Sequence, residues 1–251
     1  MQIKVKTPAE IKAMRESGRL LATVLATLKQ AVQPGLTTKD LAEIAKRELR
    51  GTGGQPTFLG QYGFPEVICI SLNDEIVHGI PSAKREIRQG DIVSLDFGVT
   101  YDGMITDSAI STVAGGAKNE KVIKLLQDTQ ASLYAGIATL RNGVRVGDIS
   151  SAIQQVLDAG GYGVVRDMVG HGVGHQLHEE PDIPNYGRKG TGPALSTGMT
   201  IAIEPMATLG DFRVFIDVDG WTVRSNDRSL AAHFEHTILI TQDGSEILTK
   251  L

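Results

Sequence analysis

The chain has 251 residues, 41% of them hydrophobic, which suits one large domain or two small ones. A net charge of −4 and a pI near 5.9 give no electrostatic basis for binding nucleic acid. The single cysteine, Cys69, excludes an intrachain disulfide, and no run reaches the roughly 18 apolar residues of a membrane span. The opening MQIKVKTPAEIKAM lacks an apolar core of signal-peptide length, so a soluble cytoplasmic protein is the expectation.

Thr7-Pro8-Ala9-Glu10 reads as a capping box with proline at the first helical position. Ile11, Met14, Leu21, Val24, Leu25 and Leu28 follow at roughly helical spacing, and the helix should stop before Pro34-Gly35. A second helix is predicted from Thr37 or Thr38 to near Gly51. VICIS (67–71) reads as a buried strand, and DIVSLDFGVT and GMITDSAISTV as two strands around Asp102-Gly103. Further helices are predicted over roughly 121–140 and 149–157. After a histidine-rich stretch and a polar loop come three strand-like runs, MTIAIEP, FRVFIDVDGWTV and HFEHTILIT. ATLKQAVQPG (26–35) is echoed by ATLRNGVRVG (138–147), with Leu41 and Ile44 matching Ile153 and Val156 at the same offset. The echo is either chance or the trace of two related halves, roughly 1–115 and 116–251, within one catalytic domain.

Two aspartates can be placed by geometry. Asp-Gly favours a tight hairpin, because both central residues of a type I′ turn need positive φ. With Asp102-Gly103 as the turn, Tyr101 faces Met104, Asp107 faces Gly98 and Asp96 faces Ala109. Side chains alternate along a strand, so Asp96 and Asp107 share a face as diagonal neighbours, roughly 7–8 Å apart. Val93, Leu95, Phe97 and Val99 take the other face, as a core would. The aspartate face is either a solvated polar surface or a site whose mutual repulsion a cation relieves. Glu204 and Glu235 are likewise acids in apolar strand sequence. Each either caps a strand end at the surface or is buried with a partner or a metal.

Three of the six histidines, His171, His175 and His178, fall in MVGHGVGHQLHEEP. Gly170, Gly172 and Gly174 argue against a helix there; in an extended chain His171 and His175 share a face that His178 does not, and a turn expected beyond Gln176 leaves the direction of His178 open. Spacing therefore does not support one three-histidine site, and the helical His-Glu-x-x-His pattern is absent. One histidine with four carboxylates would make a mostly oxygen site suited to two divalent ions, which can activate water for hydrolysis. Cys69 lies in an apolar strand, where a thiol is usually inert, and no nucleotide-binding fingerprint is present. The residues alone lead to a two-metal hydrolase.

NDEIVHGIP, LDFG, TDSA, GHGVGHQLHEEP, AIEP and FEHT, in that order, closely resemble the methionine aminopeptidases over essentially the whole chain. The resemblance implies an α+β, pseudo-symmetric "pita-bread" fold, a curved antiparallel sheet backed by helices. It implies that Asp96, Asp107, His171, Glu204 and Glu235 ligate two divalent ions (Co, Mn, Fe or Zn), with Asp107 and Glu235 bridging. It gives Glu204 the role of general base, His178 that of stabilising charge at the scissile carbonyl, and His78 that of orienting the substrate backbone. Phe58, Tyr62, Phe64, Cys69, Leu177 and Trp221 would line the methionine pocket, with Phe58, Gln61 and Leu177 at places where relatives can carry other residues. His175 departs from the residues common at its position and receives no role. The implied substrate is the amino terminus of nascent polypeptides carrying a small second residue, with the ribosome as a further candidate partner and a monomer as the expected state. The short segment between His171 and Glu204 resembles the bacterial type I form.

Two other readings remain at this point. An Xaa-Pro aminopeptidase or prolidase would usually carry an additional N-terminal domain, for which this chain has no room. A metal-free hydrolase or binding protein on the same fold would lack ligands, and all five candidates are present.

Overall fold

The computed structural model describes residues 4–251. Its first helix, α1 (Pro8–Ala31), begins where the sequence predicts. The Thr7 hydroxyl accepts the Glu10 N–H at 3.3 Å, and the Glu10 carboxylate accepts the Thr7 N–H at 2.7 Å. Thr37 and Asp40 repeat this device at the start of α2 (Thr38–Leu49). The strands of the first half are β1 (Gln55–Pro56), β2 (Cys69–Leu72), β3 (Glu75–Val77), β4 (Ile92–Tyr101) and β5 (Met104–Val113).

β4 and β5 pair in the predicted register, with Tyr101 opposite Met104, Gly98 opposite Asp107 and Asp96 opposite Ala109. Asp102 and Gly103 both have positive φ, 49° and 74°, as a type I′ turn requires. Along its other edge β4 pairs with β2 and β1. Val93, Leu95, Phe97 and Val99 are fully buried against Leu20, Leu21, Val24, Leu41 and Ala45 of α1 and α2. The Ser17 hydroxyl contacts the Val99 carbonyl at 2.7 Å and the Thr106 hydroxyl at 2.8 Å, fixing α1 across the hairpin. With one face covered by helices, Asp96 and Asp107 point away from them.

The second half has α3 (Glu120–Ile137) and α4 (Val146–Gly160), then β6 (Gly163–Val164), β7 (Gly170–Gly172), β8 (Glu179–Ile183), β9 (Thr200–Ile203) and β10 (Met206–Thr208). It ends with β11 (Val214–Ile216), β12 (Val223–Ser225), β13 (Ala231–His233), β14 (His236–Ile240) and β15 (Ser245–Ile247). α4 starts a turn earlier than predicted, because the Asp148 carboxylate accepts the Arg145 N–H at 3.1 Å. The order β15-β14-β9-β7-β8 forms an antiparallel sheet whose Ile201, Ile203, Ile238 and Ile240 pack against α3 and α4. Gly35 and Gly143, both at positive φ, stand just before the N-caps Thr37 and Arg145 of α2 and α4, an alignment other than the one the sequence echo gives.

Two of the three long C-terminal runs are divided. MTIAIEP holds one strand, β9; Pro205 cannot donate to a ladder, and beyond it the chain enters β10 of a different sheet. HFEHTILIT divides at Phe234-Glu235 between β13 and β14, again in different sheets. FRVFIDVDGWTV folds into the hairpin β11–β12, with Gly220 at φ 77° in its turn. The β5 edge is sewn to this region. Ala109 and Glu235 exchange backbone hydrogen bonds at 2.8 and 3.3 Å, and the Thr237 hydroxyl accepts the Asp107 N–H at 2.8 Å.

Gly18 lets α1 meet the C-terminal segment, since a Cβ there would lie 2.1 Å from the Leu248 carbonyl oxygen. Alanine ordinarily stabilises a helix interior over glycine by up to about 1 kcal/mol. Gly18→Ala is expected to reverse that sign and destabilise by about 1–3 kcal/mol through overpacking. A lowered urea midpoint at unchanged slope checks this.

Candidate active site

Asp96 and Asp107 reach the site from the hairpin, Glu204 and Glu235 from the two strand breaks, and His171 from the middle of β7. Ligand atoms of Asp107, His171 and Glu235 all lie within 4.8 Å of one another. A Glu204 carboxylate oxygen stands 3.4 Å from His171 Nε2. Asp96 Oδ1, Asp107 Oδ1 and Glu235 Oε1 are buried with no hydrogen-bond partner among the described residues. Neither is any of the four acids paired with a lysine or arginine there.

Burial pushes all four carboxyls up: Asp96 to about 7, and Asp107, Glu204 and Glu235 well above the usual carboxylate range. The negative charge of their neighbours adds to the rise in Asp107, Glu204 and Glu235. His171 is pushed down to about 4, first by burial. Its Nδ1 lies 2.9 Å from the Gly172 carbonyl oxygen. Only a protonated nitrogen can bond that oxygen, so Nδ1 carries the hydrogen and Nε2 presents a lone pair to the cluster. Orphaned carboxylate oxygens around a neutral imidazole are a donor set that lacks only a cation, and its composition fits divalent metal.

A cavity of about 1370 Å³ holds this cluster and an apolar wall side by side. Phe58, Phe64, Cys69 and Leu177 form the buried part of that wall, Ile105 and Val173 belong to the same apolar cluster, and Trp221 packs on it. The Phe64 and Trp221 rings meet edge to face with centroids 5.2 Å apart. Cys69 sits opposite Asp96 in the β2–β4 register, which joins wall to cluster. Burial, with the acids nearby, raises its thiol well above the usual range, so it acts as packing.

Tyr62, although among the expected pocket residues, is 76% exposed and stands at the cavity mouth, stacked on His178 with ring centroids 5.8 Å apart. The His178 ring lies edge-on to His171 at 4.5 Å. His78 lines the cavity at φ 61°, a backbone conformation that a non-glycine residue adopts at a cost, and burial lowers its pKa to about 4. The histidine-rich stretch is not helical, as the glycines predict: it is strand only over 170–172 and bends through 174–178, so its three rings part company and His175 turns to Glu10, outside the carboxylate cluster.

Two residues escaped the sequence reading. His233 is fully buried with both ring nitrogens unpartnered, and its Nε2 is 3.8 Å from Glu204. Its position two residues before Glu235 was a usable signal, because the strand period is two. Asn185 donates from Nδ2 to the Glu204 carbonyl at 3.0 Å and is also fully buried; nothing local in the sequence marks it.

Fold and site together have the composition of a metal-dependent hydrolase. The model of metallopeptidase family M24 matches residues 12–242. A methionine aminopeptidase of Clostridium perfringens is 45% identical over 98% of both chains, and methionine aminopeptidase 1 of Bacillus subtilis is 45% identical over 98% of both. The crystal structure of methionine aminopeptidase from Thermotoga maritima superposes with a TM-score of 0.98 at 43% identity, covering 100% of both chains. The chain therefore belongs to metallopeptidase family M24, in its methionine aminopeptidase branch. Prolidase from Pyrococcus furiosus, at 22% identity and TM-score 0.78, shares the fold over 98% of this chain but only 65% of its own. That fold is the α+β "pita-bread" arrangement.

The raised carboxyls have a consequence for stability. They hold protons more tightly folded than unfolded, so the metal-stripped protein is stabilised at low pH. That contribution is lost as pH rises from the unfolded value, 3.8 for aspartate, through the folded value, about 7 for Asp96. Thermal unfolding of the metal-stripped protein is expected to show a lower Tm at pH 8 than at pH 5.5. Added manganese should raise Tm more at pH 8, where the ligands are deprotonated.

Proposed function

We propose that this chain removes the initiator methionine from nascent polypeptides, hydrolysing the first peptide bond at a centre of two divalent ions. The observation that carries the reading is the adjacency of three buried, unneutralised carboxylates, with the partly buried Glu204 beside them, to an apolar wall, in a chain of this family. Asp96, Asp107, His171, Glu204 and Glu235 would hold the ions, with Asp107 and Glu235 shared between them. When bound, the ions supply Lewis acidity towards the amine and carbonyl of the substrate and lower the pKa of water.

The chain's own residues do the rest. Glu204 takes a proton from the attacking water and passes it towards the leaving amine. His178, beside His171 and open to the cavity, donates a hydrogen bond to the oxygen on which charge develops. His78 orients the substrate backbone from the cavity wall. Phe58, Phe64, Cys69, Leu177 and Trp221 enclose the methionine side chain, and Tyr62 borders the entrance.

The donor set accepts cobalt, manganese, iron or zinc, and cellular supply decides among them. We read the whole chain as one catalytic unit of two related halves, roughly 1–115 and 116–251. It acts as a monomer in the cytoplasm, with the emerging nascent chain, and the ribosome that presents it, as partners. No helix among the described residues is long and apolar enough to cross a membrane.

Metal-loaded protein should release methionine from Met-Ala-Ser and leave Ala-Pro-Ala intact; cleavage of the proline peptide alone would overturn the reading. Glu204→Gln is expected to lower kcat on Met-Ala-Ser by about 10²–10⁴. Leu-Ala-Ser should be cut less well than Met-Ala-Ser, by about 10–200-fold in kcat/KM, the limit that an apolar pocket can impose on a similar side chain.

A further inference from the structure

His175 lies in the histidine-rich stretch yet takes no part in the carboxylate cluster. Its Nε2 is 2.8 Å from Glu10 Oε1, at the start of α1. A carboxylate only accepts, so His175 is the donor. The other Glu10 oxygen accepts the Thr7 N–H and hydroxyl at 2.7 and 2.9 Å, which locks the carboxylate into the helix cap. On the far side of the loop, Glu179 Oε1 accepts the backbone N–H groups of His175 and Gln176 at 2.6 and 3.0 Å. Its Oε2 accepts from Lys6 Nζ at 2.6 Å, and the Lys6 side chain is only 1% exposed. Lys6 is itself held by its backbone N–H on the Gly198 carbonyl at 2.8 Å. Gly174, at φ 147°, leaves no room for a Cβ, which would fall 2.3 Å from Lys6 Cε.

His175, Gln176 and Glu179 tie the loop 174–179 to Glu10 and Lys6, and this loop carries Leu177 in the apolar wall and His178 in the cavity. We infer that His175 is a positioning residue: with Glu10 and the Lys6–Glu179 pair it clamps this loop to the N-terminal segment and so aims His178 at the scissile carbonyl. The inference rests on the role given above to His178. A misplacement of about 1 Å can cost up to about 10²-fold in rate, and a buried ion pair with a shared carboxylate is stiff enough to prevent it.

The test is a double-mutant cycle on metal-loaded enzyme with Met-Ala-Ser, reading kcat and KM separately, with Tm recorded for each variant. His175→Ala is expected to lower kcat about tenfold with KM within about twofold of the parent. In a His178→Ala background the same substitution should have no further effect on kcat, because it acts through a side chain no longer present. Glu10→Ala cuts the contact from the other side and should match His175→Ala. Glu10→Gln keeps an acceptor for His175 and the helix cap, and should retain kcat near the parent. If His175→Ala does not fold, the Glu10 pair carries the same cycle. Additive losses, a KM effect alone, or an undiminished kcat would overturn the inference. An undiminished kcat in His178→Ala alone would instead remove the role of His178, and this inference with it.

Discussion

The structure is organised around a repulsion. Four carboxylates share a largely buried space with the imidazoles of His171 and His233 and, among the described residues, no lysine or arginine partner. Desolvation disfavours each charge, and their proximity disfavours charging them together. Folding tolerates the arrangement either by keeping protons on the acids or by admitting a cation, and only the second also prepares a hydrolytic centre. The apolar core on the helix side of the hairpin is what makes the aspartate face affordable: Val93, Leu95, Phe97 and Val99 are fully buried behind Asp96.

The geometry that gathers these acids comes from breaks in strands. Glu204 and Glu235 each stand where a run leaves one sheet for another, so their side chains are not bound by the alternation of a continuous strand. The backbone exchange between Ala109 and Glu235, and the Thr237 hydroxyl on Asp107, then bring the hairpin edge to the second break. His171 arrives from β7, paired to Ala202 of the neighbouring strand, one pleat from Glu204. Five residues distant in sequence thus meet where the β5 edge is bonded to the chain at the break between β13 and β14.

Much of this was legible beforehand, for local reasons. The caps of α1 and α2 and the hairpin register depend on residues within a few positions of one another, and Asp102-Gly103 fixes the register outright. The glycines that forbid a helix around His171 are equally local. Pro205 marks the end of β9 locally, but the break at Glu235 was not legible, because apolar content continues through it and only tertiary pairing shows that the sheet changes. The same holds for His233 and Asn185, whose proximity to Glu204 is created by chain crossings. The internal echo aligns Gly35 with Gly147, whereas the caps of α2 and α4 align Asp40 with Asp148.

The account stands on a cation centre formed by Asp96, Asp107, His171, Glu204 and Glu235. Anomalous diffraction from crystals soaked in manganese counts and places the ions without reference to activity. The account predicts two peaks, each within about 2.0–2.6 Å of oxygen or nitrogen atoms from these five side chains. A cluster that stays free of metal at millimolar manganese, or an ion bound by other residues, would contradict it.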